Sequence, residues 1–323
     1  MEVGKANIDN APDPDSGSSI PHEEQPPSSE EPQQVDIRSV LEAKNPSLYR
    51  ILPDTVLRAL ERLVHARDIN RTLRYIGGRI GIDFAEAVLE EFNTSVEARG
   101  VQRLQDVERP IIVSNHPLGG IDGVALIALF GRFFPGLLTP ANDILMHLRG
   151  LRSALIPVNK HGSNAENIER YNQANANAEA ILHFPAGLVS RKTGGRVRDL
   201  AWQKSFVVQA RRHNRPVVPV FFDGKNSEFF YNLSLVRRKI HFPVNLEMLL
   251  LPSEMFKQRN QSFHATIGHP IPASHLTRDL RAAEWAERIR RHIYRLSVDP
   301  DAAFSPIETH AVESSPNGHG ADI

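Results

Sequence analysis

The chain has no cysteine, which excludes disulfides, a thiolate nucleophile and any cysteine-ligated metal. No window approaches the roughly 18 to 20 apolar residues of a membrane span, so contact with lipid is expected to be peripheral. Residues 1–36 lack the apolar run of a secretory signal. No HExxH or clustered histidines suggest a metal, and the expected metal-ligand set is none. A GxSxG nucleophile elbow is missing too, which weakens a serine hydrolase. None of the usual nucleic-acid-binding signatures occurs, and there is no internal repeat.

What is there begins with charge. The formal net charge is zero, but residues 1–36 carry nine acids against Lys5, and residues 299–323 carry five acids without Lys or Arg. The body between them holds 37 Lys and Arg against 24 Asp and Glu, a net of +13. Such a body suits an anionic partner: a membrane surface, an acidic carrier protein, a phosphorylated ligand or nucleic acid. The plainer reading is a solvated surface partly neutralised by its own tails. Both tails, rich in Pro, Ser and acids, read as disordered. The expected organisation is an acidic tail over 1–36, a helical segment over 37–95, one α/β domain over 96–298 and a second acidic tail over 299–323.

Within 52–93, Val56, Leu57, Leu60, Leu63 and Val64 recur at helical spacing, as do Phe84, Ala87, Val88 and Leu89 after breaks at Gly77, Gly78 and Gly81. Strands are expected at 110–114, 154–158, 180–184, 216–222, 246–251 and 263–267. Helices fit at 122–133, 164–179, 200–213 and 281–296. Short apolar strands alternating with helices argue for an α/β fold: a single domain with a mixed, largely parallel central sheet flanked by helices, preceded by an N-terminal helical hairpin.

The first of these strands runs into a loop carrying His116 and Asp122, and a helical apolar pattern follows at once. An imidazole beside a carboxylate at the mouth of such a sheet is suited to taking a proton from a hydroxyl. Gly119 and Gly120 permit positive φ and close approach of a substrate to the backbone. N–H groups at the helix start are placed for a developing oxyanion. The competing reading makes Asp122 a helix cap and His116 a loop histidine.

The segment Asn115-His116-Pro117-Leu118-Gly119-Gly120-Ile121-Asp122-Gly123 resembles the first motif of the glycerolipid acyltransferase family, whose best-known members acylate lysophosphatidic acid. Three further blocks follow in the family's order. Asn142 to Met146 with Ile156-Pro157-Val158-Asn159 resembles the second, and Phe184-Pro185-Ala186-Gly187-Leu188-Val189-Ser190-Arg191 the acceptor-binding third. Val218-Pro219-Val220 with Phe222 to Ser227 resembles the fourth. The likeness spans roughly residues 52–296 and is strongest to a bacterial branch linked to amino-acid-containing lipids. Two departures stand out. The His–Asp spacing is one residue longer than usual. The third block has Ala186 for the usual Glu and Val189 for the usual Arg, with Arg191 two positions later.

The resemblance implies His116 as general base and Asp122 as its orienting partner. The candidate substrate-binding residues are Asn115, Gly119, Gly120, Gly187, Ser190, Arg191 and Lys192. Arg191 with Ser190 is expected to clamp an anionic group such as a carboxylate. No cofactor is implied: the acyl group comes on a thioester of acyl carrier protein or coenzyme A, and the acceptor is a lyso-lipid. The altered third block points to a lyso-ornithine or lyso-glycine type of acceptor. The place of action is cytoplasmic, peripheral on the inner face of the cell membrane. A 1-acylglycerol-3-phosphate acyltransferase and a non-catalytic basic membrane-binding module stay open as alternatives. Two patches mix aromatic and basic residues, Phe130 to Pro135 and Phe229 to Lys239. Each fits a bilayer interface or an ordinary core with a basic helix end. The histidines at 147, 161, 183, 213, 241, 264 and 269 read as structural.

Overall fold

A computed structural model of the chain describes residues 34–44, 46–142, 145–158, 165–239 and 246–306. The N-terminal helical stretch comprises α1 (Ile37–Lys44), α2 (Pro46–Ile51), α3 (Asp54–Leu63), α4 (Ala66–Ile76) and α5 (Gly81–Glu91). Gly77 and Gly81, at φ +67° and +58°, break it where the sequence pattern does. Strands β1 (Ser95–Arg99) and β2 (Ile111–Ser114) follow, then α6 (Ile121–Gly131), β3 (Leu137–Ala141), β4 (Leu155–Pro157), α7 (Ala165–Asn177) and β5 (Ala180–His183). Next come β6 (Arg191–Thr193), β7 (Arg196–Arg198), α8 (Ser205–His213), β8 (Val217–Phe222), α9 (Glu228–Lys239), α10 (Leu251–Phe256), β9 (Ser262–Ile267) and α11 (Ala282–Leu296).

Seven strands form one sheet in the order β1-β9-β8-β2-β5-β3-β4. Neighbours run parallel throughout except β8 and β9, which are antiparallel. The sheet is therefore mixed and largely parallel, as the alternation of elements implies. Strand β2 lies inside it and is buried on both faces, which explains its unbroken apolar run. Ile111 and Val113 face a core with Phe206 and Val207 of α8 and Trp285 and Ile289 of α11. Ile112 faces the opposite core, which holds Phe84 of α5 and Ile121 and Ala125 of α6.

Arg215 fixes the amino ends of the strands that matter most. Its buried guanidinium donates to the carbonyls of Arg109 and Pro110 before β2, Ala178 and Glu179 before β5, and Asn175 of α7. Arg215 itself lies just before β8, so one side chain ties three adjacent strands together. Burial and the neighbouring Arg109 push its pKa down to about 10.

Several expectations need correction. Residues 246–251 form no strand: Leu246–Leu250 is a 3-10 turn that leads into α10, with Pro252 in its first turn. An apolar run of that length does not by itself distinguish strand from helix. Strands β1 and β3 were not anticipated: β1 alternates exposed and half-buried residues, and β3 contains Pro140. Between β6 and β7 lie Gly194 and Gly195. At φ +57° and +76° they make the two-residue turn of the β6–β7 hairpin. The described chain also continues past 299, with Ala302 buried and Phe304 packed on Trp285 and His292.

Candidate active site

The first and third motif blocks start at the carboxyl ends of β2 and β5, and the fourth runs along β8 into the loop at its carboxyl end. These strands are parallel neighbours with β2 in the middle, so their following loops emerge side by side. That end of a parallel sheet is where α/β folds carry their ligands. Of the second block, residues 143, 144 and 159 lie outside the described residues.

His116 follows β2 by two positions, and Asp122 sits in the first turn of α6. Despite the extra residue between them, His116 Nδ1 lies 3.0 Å from Asp122 Oδ2. The loop closes because Asp122 gathers it inward: Oδ2 also accepts from Leu118 N–H at 2.9 Å, and Oδ1 from Gly123 N–H at 2.9 Å. Gly119, at φ +80°, makes the required turn. Asp122 is fully buried, whereas 17% of the His116 side chain is exposed. Burial pushes the Asp122 carboxyl up, but the charge and hydrogen bond of His116 and the N–H groups of Leu118 and Gly119 outweigh it. The carboxyl stays below its ordinary range. An ionised carboxylate only accepts, so Nδ1 carries the ring proton and Nε2 presents the lone pair. Phe184 lies against the imidazole, ring centroids 4.4 Å apart.

The remaining expected residues have other partners. Asn115 is buried, donates from Nδ2 to Phe222 O at 2.8 Å and accepts Phe222 N–H at 2.7 Å, locking the loop after β2 to β8. A Cβ on Gly119 would meet Val189 and Leu251, and one on Gly120 would meet Met255. The glycines thus admit packing of α10 and the third block. Gly187, at φ +62°, turns the chain after β5 and its N–H donates to Phe184 O. Ser190 Oγ donates its proton to Asp199 Oδ1 at 2.5 Å and lies 3.3 Å from His116 O.

Arg191 is 3% exposed, and its Nη2 lies 3.2 Å from Glu247, a carboxylate shared with Arg237. The anion clamp expected of Ser190 and Arg191 is therefore not assembled: the serine serves Asp199 and the guanidinium serves Glu247. Burial opposes ionisation of Glu247, but its own N–H and the two arginines hold its carboxyl below the usual range. Lys192 is the more accessible cation, and its Nζ rests 2.6 Å from Glu228 at the start of α9.

The aromatic patches divide between core and surface. Phe130, Phe134, Phe230 and Tyr231 are buried, while Phe133, Phe229 and Val236 are exposed. Among the histidines read as structural, His183 is buried and held down at about 4 by burial. His264 does meet carboxylates, Asp223 at 3.1 Å and Glu97 at 3.3 Å, from an exposed position of β9 between the buried Phe263 and Ala265.

Residues 39–303 match the family described as acyltransferase. The chain belongs to that family. It is 39% identical over 264 residues to a lyso-glycine lipid O-acyltransferase from Bacteroides thetaiotaomicron, with 81% of this chain and 97% of that protein covered. A lyso-glycine lipid O-acyltransferase from Phocaeicola vulgatus is 38% identical over the same share of this chain and 95% of its own. A solved structure, the 1-acyl-sn-glycerophosphate (LPA) acyltransferase PlsC from Thermotoga maritima, matches at 15% identity with a TM-score of 0.41. That match covers 80% of this chain and 91% of the other.

In this acyltransferase two acids near the site escaped the reading of the sequence. Asp199 is the lone acid in the basic stretch from Arg191 to Lys204, and Glu247 the lone charge in the apolar run from Val244 to Leu251. Isolation among opposite or apolar neighbours was the available signal for both.

Proposed function

We propose that this acyltransferase moves a fatty acyl group from a thioester donor to the free hydroxyl of an amino-acid-containing lyso-lipid. The observation that carries the reading is the His116–Asp122 pair, 3.0 Å apart at the carboxyl ends of the parallel strands. Nε2 of His116 takes the hydroxyl proton as the alcohol oxygen attacks the thioester carbonyl. Asp122 stabilises the imidazolium that results. The tetrahedral oxyanion faces the amino end of α6, where Gly120 and Ile121 N–H groups stand outside the donors that Asp122 holds. Collapse breaks the C–S bond, and the proton passes from His116 to the departing thiolate. No acyl-enzyme forms on the way.

The acceptor reading is supported by the named activity of the two relatives and by the third block. With Ala186 and Val189 in place and Arg191 turned to Glu247, a phosphate on the acceptor would lack its family partners. Of the expected binding residues, Lys192 is the cation offered to an anionic headgroup, since an exposed ion pair with Glu228 is weak enough to exchange. The +13 body favours acyl carrier protein, an acidic donor, over coenzyme A. Among the described residues no helix is long and apolar enough to cross a membrane, and we place the enzyme peripherally on the inner face of the cell membrane.

The test supplies purified enzyme with acyl carrier protein or coenzyme A thioester and either lyso-glycine lipid, lysophosphatidate or no acceptor, with products read by mass spectrometry. Acylated glycine lipid is expected, without fatty acid release when the acceptor is omitted. Preferred acylation of lysophosphatidate would overturn the acceptor, and free fatty acid without acceptor would indicate a hydrolase.

A further inference from the structure

His116 is held by its main chain as firmly as by its ring. Its N–H donates to Asp199 Oδ1 at 3.2 Å. Its carbonyl accepts from Ser190 N–H at 2.8 Å, and the Ser190 hydroxyl, 3.3 Å from that carbonyl, donates to the same Asp199 oxygen. Oδ2 of Asp199 accepts from Trp202 Nε1–H at 2.9 Å. The backbone of Asp199 is fixed in turn by α11: its N–H donates to Tyr294 Oη at 2.7 Å and its carbonyl accepts from Arg290.

Asp199 is 5% exposed, and each donor on its carboxylate is neutral. No Lys or Arg among the described residues reaches its oxygens at ion-pair distance, although Arg191, Arg196 and Arg198 are close in sequence. Arg198 lies instead over the ring of Tyr294. A buried carboxylate without a cation is costly. Two cations sense it: Arg290, which donates to the Asp199 backbone carbonyl, and the imidazolium that forms on His116 during the reaction.

We propose that Asp199 is a positioning residue: with Ser190 it clamps the His116 peptide so that Nε2 meets the acceptor hydroxyl, and it adds a second fixed negative charge behind the imidazolium. The proposal rests on His116 as the base. Burial leaves the Asp199 carboxyl above its ordinary range, although the donors Ser190, Trp202 and His116 N–H, and then the charge of His116, pull it down. Among the described residues, the charged or titratable groups facing the pair include Asp122 from α6 and Tyr294 and Arg290 from α11. Arg290 is held by Glu287.

The test compares Asp199→Ala, Asp199→Asn, Ser190→Ala and His116→Ala in steady-state kinetics across pH, with melting temperatures for each. Asp199→Ala is expected to lower kcat by about 100-fold with KM for the thioester nearly unchanged. Asp199→Asn keeps an acceptor and loses the charge. It recovers part of that rate, while the acid limb of kcat/KM moves to lower pH because the imidazolium has lost an anion. Ser190→Ala slows the reaction without moving the limb. A wild-type acid limb in Asp199→Asn, with Asp199→Ala slowed only by its unfolded fraction, would overturn the proposal. If His116→Ala stays active, the base assignment fails instead, and the two failures are told apart.

Discussion

Replacing Asp122 by Asn tests the catalytic pair without changing its size. Several donors converge on the carboxylate, among them His116 Nδ1–H and Leu118 N–H on Oδ2, and Gly123 N–H on Oδ1. An amide has one accepting oxygen, so at least one donor must then face an NH2 group. Turned toward His116, that group forces Nδ1 to accept, and Nε2 then carries the proton it should be taking. Turned toward Gly123, it preserves the tautomer but leaves no anion behind the imidazolium. Unit charges about 4 Å apart at an effective dielectric of about 20 attract by about 4 kcal/mol, worth about three powers of ten in rate. Asp122→Asn should therefore reduce kcat by about 10³- to 10⁴-fold, with KM for the thioester nearly unchanged. Stability should fall by only about 1 to 3 kcal/mol, which thermal melting separates from the catalytic loss. Thiol release from the donor gives a direct assay, because a chain without cysteine contributes no background. A folded variant within tenfold of the wild-type kcat would refute the reasoning.

Other outcomes follow from the buried charges. Glu247→Ala leaves Arg191 and Arg237 without their shared anion and should cost about 3 to 5 kcal/mol in urea unfolding; a loss below about 1 kcal/mol would contradict that pairing. Arg215→Leu strips the donor from buried carbonyls at the amino ends of β2 and β5 and should cost at least about 3 kcal/mol; an unchanged melting temperature would count against the staple. Burial, with Arg295 and His269 nearby, holds His292 at about 4 against an ordinary 6.5. It is therefore neutral when folded, and its stabilising contribution is complete above pH 6.5 and lost as pH falls toward 4. His292→Leu should spare about 2 kcal/mol of the stability lost between pH 7 and pH 5, while His183 keeps its own share of the acid sensitivity. Parallel melting curves for wild type and variant across that range would argue against the assignment.

The sequence conveyed the sheet and the place of the site because local pattern and order were enough for both. Apolar runs ending in Gly- or Pro-containing loops marked β2, β5 and β8, and their being neighbours turned three separate blocks into one crevice. The edge strand β1 escaped because its residues alternate between exposed and half-buried and none is fully buried, although Gly100 closes it. Pairing across the fold was not legible. Nothing local to Arg191 says that Glu247, 56 positions away, will claim its guanidinium, and nothing near His116 announces Asp199. The double glycine was read as room for substrate, whereas Val189, Leu251 and Met255 fill that space. A glycine's need for closeness is visible in sequence, but the neighbour that comes close is set by tertiary packing.

The most direct measurement is single-turnover acyl transfer by His116→Ala with saturating thioester and lyso-lipid, on protein shown by circular dichroism to be folded. If the imidazole is the base, the rate falls by about 10³-fold or more while donor binding persists. Transfer within about tenfold of wild type would mean that another group removes the proton, and the chemistry assigned to the loop after β2 would be wrong.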